Sequence, residues 1–461
     1  MTFTKRRFHP PGFIACMALL LFLLSSPPPL AAAAKKKSSK NKKTDKPTPA
    51  SAPPVVRKKK NYLVLGGTGS RSAATTEFLI RQPNVDVVLL NRGNMYWDVA
   101  KELNVRAAEH WPCDRKKKLQ NCKPFMASDR KFDACLDFSS LTWEQLQNAK
   151  DYLLDSQKCD FYLFASSYKV YEVSGALPKR MTKKWWNDVE NGRLQEDKHM
   201  RRPNKSVSPL ERHEIISANK IGNDFYEVEE ALEKNFMKTN VPYSVLRIGN
   251  VITPKEATMR FWFLQLWLHG HQNLGMPMHT TSDAPMSFTY GYDIAQAVAK
   301  VLKKAANATE IDEVAGEAFN IACEETKDQY NLYYTIGDAI GLSQVQHVRR
   351  DNRTEALTLY PENKDGHVMN IEKAKRILGF KPTNLDKAIR ESALFYEQAL
   401  TGERWKNQRK VAFNAIAEMM RTRKLVDWVE KKVKEKKNIY DDYDPEEYEE
   451  YLQDKFKRLE L

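Results

Sequence analysis

The chain has 461 residues, 42% hydrophobic and 29% charged, with a formal net charge of +15. Residues 1–34 carry three basic side chains and no acidic one, and residues 35–60 carry eleven Lys and Arg against one Asp, which leaves +2 on the other 401. The body therefore has no electrostatic footprint for nucleic acid, and the basic linker is the part suited to touch anionic surfaces.

The first residues combine a basic head with about 13 apolar residues from Gly12 to Leu24, short of the roughly 20 that a membrane span needs. Ala32 and Ala34 then supply small residues suited to a signal-peptidase cut. Residues 1–34 read as a secretory signal peptide, with an uncleaved anchor as the alternative. Residues 35–60, rich in Lys, Ser, Pro and Ala, have almost nothing to bury and read as a disordered linker.

Glycan acceptor triplets at Asn204, Asn307 and Asn352 fit a glycoprotein of the secretory pathway, and the final "RLEL" partly matches a lumenal retrieval signal. The expected location is the endoplasmic reticulum lumen or the outside of the cell. The alternative is a plastid reached through a two-part presequence. With Cys16 in the signal, Cys113, Cys122, Cys135, Cys159 and Cys323 remain, an odd set that allows at most two bridges and one free thiol. Cys113 and Cys122 flank a basic loop and are the bridge candidate. No Cys or His spacing suggests a metal.

From residue 61 onward, "YLVLGG", "VDVVLLNRG", "FDACLDF", "DFYLFASS" and "PYSVLRIGN" are apolar runs separated by helical patterns. Such a pattern predicts a parallel sheet covered on both faces, an α/β fold of the Rossmann-type doubly wound class. The expected divisions are a dinucleotide-binding domain over 61–251 with an insertion at 172–215, and a smaller C-terminal substrate lobe mainly over 252–400. A helical extension with an acidic tail follows over 401–461. Within it, "NQRKVAFNAIAEMMRTRKLVDWVEKKVKEKKN" reads as one long basic amphipathic helix. The aromatic run over 260–271 has helical spacing, which suits core packing or a greasy wall for a partner.

The stretch "LGGTGSRS" has strand, glycine turn and helix in order. Gly66 permits the tight bend and Gly69 lets a backbone approach a pyrophosphate, while Ser72 replaces the third glycine that normally eases helix–sheet packing. Ser70 and Arg71 open the helix, whose N-terminal amides and dipole favour an anion. At the end of the second strand stands Arg92, where an acidic residue would select NAD; a guanidinium instead suits a 2′-phosphate, so NADP is preferred over NAD.

These landmarks, with "CDR", "FDACLDFSS", "FASSYKVYEVSG", "VPYSVLRIGNVITP", "SFTYGYDIAQAV" and "EKAKRILGFKPT", resemble the extended short-chain dehydrogenase/reductases, the NAD-dependent epimerase/dehydratase family. The resemblance implies that Gly66 and Gly69 cradle the pyrophosphate and that Asp114 lies near the adenine. It implies that Phe138, Ser139 and Ser140 pass the nicotinamide half, that Ser167 is the active-site serine, and that Arg247 and Asn250 border a sugar cleft. Asp293 matches an acidic residue that is architectural. The ligand implied is a nucleotide sugar or similar polar metabolite, and a homodimer through a four-helix interface is common in such families.

One departure stands out. The family needs Tyr-x-x-x-Lys, in which the ammonium lowers the phenol's pKa and holds the nicotinamide ribose while the phenolate takes the substrate proton. Lys220 fills the lysine place, but four residues earlier stands Ile216. Tyr168, Tyr171 and His213 are the candidates for replacing the lost proton carrier. Three readings follow: an epimerase, dehydratase or reductase with a non-standard acid/base; a cofactor-binding scaffold or sensor with little turnover; and an RNA-binding relative like the chloroplast stem-loop-binding proteins.

Overall fold

The computed structural model describes residues 59–94, 97, 99–173, 193–194, 196, 214, 217, 219–236, 239–276, 284–342, 368–419, 423–435 and 456. The expected signal peptide, the linker up to residue 58, most of the 172–215 insertion, Ile216 and His213 lie outside them.

The centre is a parallel sheet of seven strands. In chain order these include β1 (Lys60–Leu65), β2 (Val85–Asn91), β3 (Glu109–Pro112), β4 (Ala134–Asp137), β5 (Tyr162–Ser167) and β6 (Tyr243–Ile248). A short strand, β7 (Asn250–Ile252), leaves for a second sheet, where it pairs with β8 (Met286–Tyr290). The chain then returns to the large sheet as β9 (Glu317–Ile321), giving the spatial order β9-β6-β5-β4-β1-β2-β3. Leu63, Val64, Leu89, Leu136, Leu163 and Leu246 are fully buried, as strands covered on both faces require. The chain winds outward from β1 through β2 and β3, then resumes on the other side at β4. The switch point between β1 and β4 opens a crevice at the carboxyl ends of the strands.

Two bridges staple this domain. Cys113–Cys122 closes the loop after β3, and Cys135–Cys159 ties β4 to the segment entering β5. The spacing of the cysteines pointed to the first. The second arises because β4 and β5 are hydrogen-bonded neighbours. Cys323 is buried and free.

Helices α1 (Ala73–Ile80), α2 (Val99–Arg106), α3 (Trp143–Ala149) and α4 (Lys220–Phe236) accompany the large sheet. The aromatic run forms α5 (Arg260–Leu274), buried on nearly every side from Phe261 to Leu268, so it is core. Helix α6 (Gly291–Ala305) follows β8, and Asp293 near its start accepts the Thr383 amide at 2.8 Å and hydroxyl at 2.7 Å. Helix α7 (Leu385–Thr401) packs against α5, with Tyr396 stacked on Phe261 and Trp262. Among the described residues no helix is long and apolar enough to cross a membrane.

The extension is two helices, α8 (Lys406–Met419) and α9 (Lys424–Glu435), rather than one. Their apolar stripes explain the break. Ile416 and Leu425, both buried, lie nine residues apart, which is half a turn out of phase at about 3.6 residues per turn. A straight helix would expose one stripe. Just before α8, Trp405 meets Trp97 of the β2–α2 loop at 5.3 Å, and Arg404 pairs with Glu102 at 2.5 Å. These contacts tie the start of the extension to the β2–α2 segment.

Candidate functional site

The glycine turn leads from β1 into α1. Gly66 adopts φ +78°, and a Cβ there would come within 2.8 Å of Ser139 Cβ. Ser72 is accommodated by bonding rather than by a helix shift: its hydroxyl donates to Gly66 O at 2.7 Å and receives the Gly69 amide at 3.0 Å. Thr76 ties down Gly67 O at 2.7 Å. A Cβ on Gly69 would meet nothing nearer than Ser72 Oγ at 3.6 Å, so the surface above it is open. Among the described residues the amides of Ser70 and Arg71 have no acceptor, leaving the helix N-terminus ready for an anion. The Ser70 hydroxyl accepts the Ala257 amide at 3.1 Å, joining the turn to the smaller lobe.

On the β2–β3 side a cavity of about 610 Å³ is lined by Arg92, Asn94, Asp114, Lys117, Lys118 and Lys123. The Cys113–Cys122 bridge lies in its wall. Asn91 fixes the loop, accepting the Gly93 amide at 2.7 Å. The three lysines were not singled out from the sequence; "RKKKLQNCK" carried the signal, but only the fold puts them beside Arg92.

On the other side, Asp137 ends β4 with its side chain fully buried. Burial alone would raise its pKa, yet Arg115 at 3.5 Å and bonds from Ser140, Tyr162 and the Ser139 amide hold it below the ordinary carboxylate value. The Ser139 and Ser140 hydroxyls both donate to this carboxylate and both accept from Arg115. These hydroxyls fix the chain after β4 and are already committed within the protein. Arg115, Asp137 and Tyr162 are the determinants of this segment that sequence reasoning missed.

Arg71 departs from expectation. Its guanidinium does not turn back toward the glycine turn but crosses the switch point, donating to Ala165 O at 3.3 Å and Phe138 O at 3.5 Å. It stands 5.2 Å from the centre of the Phe225 ring on α4. Burial lowers its pKa to about 10, so it stays charged at neutral pH.

Ser167 closes β5, half-buried, with its hydroxyl receiving the Lys169 amide at 3.4 Å. Lys220 opens α4 and is exposed. Tyr168 is buried and donates to Asn250 Oδ1 at 3.4 Å, while Asn250 Nδ2 is buried with no partner among the described residues. Burial pushes the Tyr168 phenol well above its ordinary value. The Tyr171 phenol is pushed up to about 12, again chiefly by burial, and is engaged by Asn320 at 2.7 Å and Arg247 at 2.9 Å. Neither phenol is poised to give a phenolate near neutral pH.

Arg247 is engaged by Tyr171 and, with Glu196, Glu229 and Lys373, lines a cavity of about 460 Å³. Its guanidinium is buried against Glu229 of α4 at 2.7 Å, and Glu229 also accepts the Ser166 hydroxyl at 2.5 Å. Desolvation favours its neutral form, but Glu229 outweighs this and keeps Arg247 charged. Its partners make it a cross-brace between α4 and the sheet. Among the described residues no cluster of His, Cys, Asp and Glu could hold a metal.

No protein-family model and no curated protein matches the sequence. Solved structures do match in shape. A UDP-glucose 4-epimerase from Thermotoga maritima, determined with UDP-glucose, is 17% identical, covers 74% of this chain and 99% of its own, and gives a TM-score of 0.50. A dTDP-glucose 4,6-dehydratase from Bacillus anthracis in complex with NAD is 15% identical, covers 75% and 98%, and gives 0.52. An epimerase from Methanothermobacter thermautotrophicus is 14% identical, covers 77% and 95%, and gives 0.53. The chain shares its fold with these epimerase and dehydratase structures.

Proposed function

We propose that this protein binds a nicotinamide dinucleotide, NADP in preference to NAD, and has little turnover of its own. The observation that carries the reading is the glycine turn at the switch point, with an open surface over Gly69 and two amides without acceptors. The turn suits the pyrophosphate, and the basic cavity beside Arg92 suits a phosphorylated ribose. The bound coenzyme would supply hydride exchange. Ser167 and the buried, unpartnered Asn250 amide give this chain polar groups for a ligand such as a nucleotide sugar, the class bound by the Thermotoga maritima enzyme.

What argues against efficient catalysis is the proton step. Ile216 has no exchangeable proton, and the two nearby phenols are buried and held neutral. General acid–base catalysis contributes roughly 100- to 10,000-fold, so a chain without it acts as a slow enzyme or as a sensor. A slow epimerase, dehydratase or reductase is the second reading, favoured by the place of Ser167 and Lys220 at the ends of β5 and α4.

The two bridges fit an oxidising compartment, and the acceptor triplet at Asn307 is exposed, so a secreted or lumenal glycoprotein is part of the proposal. A homodimer is included as well, since Leu141 before α3 and Ile221 on α4 expose apolar area. The test is the coenzyme retained on purification together with Ile216→Tyr. Retained dinucleotide, with turnover gained only in the variant, supports the proposal; no binding of either coenzyme overturns it.

A further inference from the structure

Arg71 carries its charge across the switch point of the sheet. It leaves the start of α1 on the β1 side of the switch point, and its guanidinium ends against carbonyls of β5 and of the residue after β4. A dinucleotide whose pyrophosphate lies on the turn spreads one half over β2 and β3 and the other over β4 and β5. Arg71 therefore places a fixed cation in the second half, where the nicotinamide belongs.

Asp137 offsets part of this cation's charge, but Asp137 is itself paired with Arg115. Among the described residues Arg71 has no carboxylate in salt-bridge contact, and the next cation, Arg260, is paired with Glu256 at 2.9 Å. Asp137 stays ionised, and Arg115 at 3.5 Å balances its single negative charge, so Arg71 is left as the excess cation of this trio. The guanidinium is held by two carbonyls and lies over the Phe225 ring, so it is anchored rather than free to swing away.

The two states of the coenzyme differ there in charge. The oxidised ring is a pyridinium cation and the reduced ring is neutral. Like charges close together in a crevice of low effective dielectric repel strongly, whereas a neutral ring meets no such cost.

We infer that Arg71 makes this protein selective for the reduced form of the nicotinamide coenzyme over the oxidised form. The inference rests on the dinucleotide reading and deepens it: the protein is suited to hold, or to report, reducing equivalents.

The test uses the full chain and titrations followed by tryptophan fluorescence and calorimetry, with NADPH, NADP⁺ and 2′-phospho-ADP-ribose, which lacks the nicotinamide. The native protein is expected to bind NADPH about 10-fold or more tighter than NADP⁺. Arg71→Met is expected to bring that ratio toward one, mainly by tightening NADP⁺, and to leave 2′-phospho-ADP-ribose within about twofold. Arg71→Lys, which keeps the charge, should preserve the ratio. If 2′-phospho-ADP-ribose binds but the native protein takes both ring forms equally, the inference falls and the dinucleotide reading stands. If the ratio survives in Arg71→Met, the inference falls too. If none of the three ligands binds, both fall. Should Arg71→Met not fold, the native ratio and Arg71→Gln decide the matter.

Discussion

Arg247 and Glu229 form a bidentate pair at 2.7 and 3.2 Å, and neither side chain is more than 3% exposed. Removing one member of such a pair strands a buried charge and costs about 3–5 kcal/mol. Glu229→Gln is thus expected to lower the urea unfolding free energy by that order. Coenzyme affinity in the protein that remains folded should change little, because the pair braces α4 against β6. A selective loss of ligand binding at unchanged stability would return Arg247 to the binding site.

Asp137 gives a pH signature. Its folded pKa lies below the ordinary 3.8, so the stability it adds is present above that value and is lost as pH falls through the folded pKa. Asp137→Asn should destabilise the protein near neutrality, by about 3–5 kcal/mol for a broken buried pair. The gap to the native protein should narrow below the ordinary carboxylate pKa. Urea unfolding at a series of pH values measures both arms.

The two glycines of the turn are separable. Alanine at Gly66 meets Ser139 within 2.8 Å at a φ of +78°, and such strain costs on the order of 1–3 kcal/mol. Gly66→Ala should lower both the melting temperature and the affinity for the coenzyme. Gly69→Ala has room within the protein, so its melting temperature should hold while coenzyme affinity drops by about 10-fold from a blocked pyrophosphate approach.

The basic cavity predicts which coenzyme suffers when its charges are removed. Replacing Arg92, or Lys117, Lys118 and Lys123 together, by alanine should weaken NADPH by about 10-fold and NADH far less. The NADPH loss should shrink as salt rises. Equal weakening of both coenzymes would show that the cavity does not read the 2′-phosphate.

The strands themselves were legible because runs such as "YLVLGG" and "DFYLFASS" are apolar on both alternating faces, and β1 and β5 fall there. The third place of the glycine pattern was legible only as a small residue; that Ser72 would knit the turn depended on its rotamer. What resisted reading were meetings between distant segments. Arg247 finds Glu229 from a helix, Arg71 reaches Ala165 across the crevice, and Cys135 finds Cys159 only once β4 lies beside β5. The single helix expected over the extension failed for a similar reason: composition gives amphipathicity, but the phase of Ile416 against Leu425 decides whether one straight rod can bury both.

The two cystines sit at opposite poles of the central sheet. Cys113–Cys122 borders the basic cavity where the strands finish, whereas Cys135–Cys159 lies where β4 and β5 begin. Thiol chemistry can therefore address recognition and endurance independently. Opening the former loosens the rim that greets a ligand, and opening the latter lengthens the tether that the unfolded chain must close again.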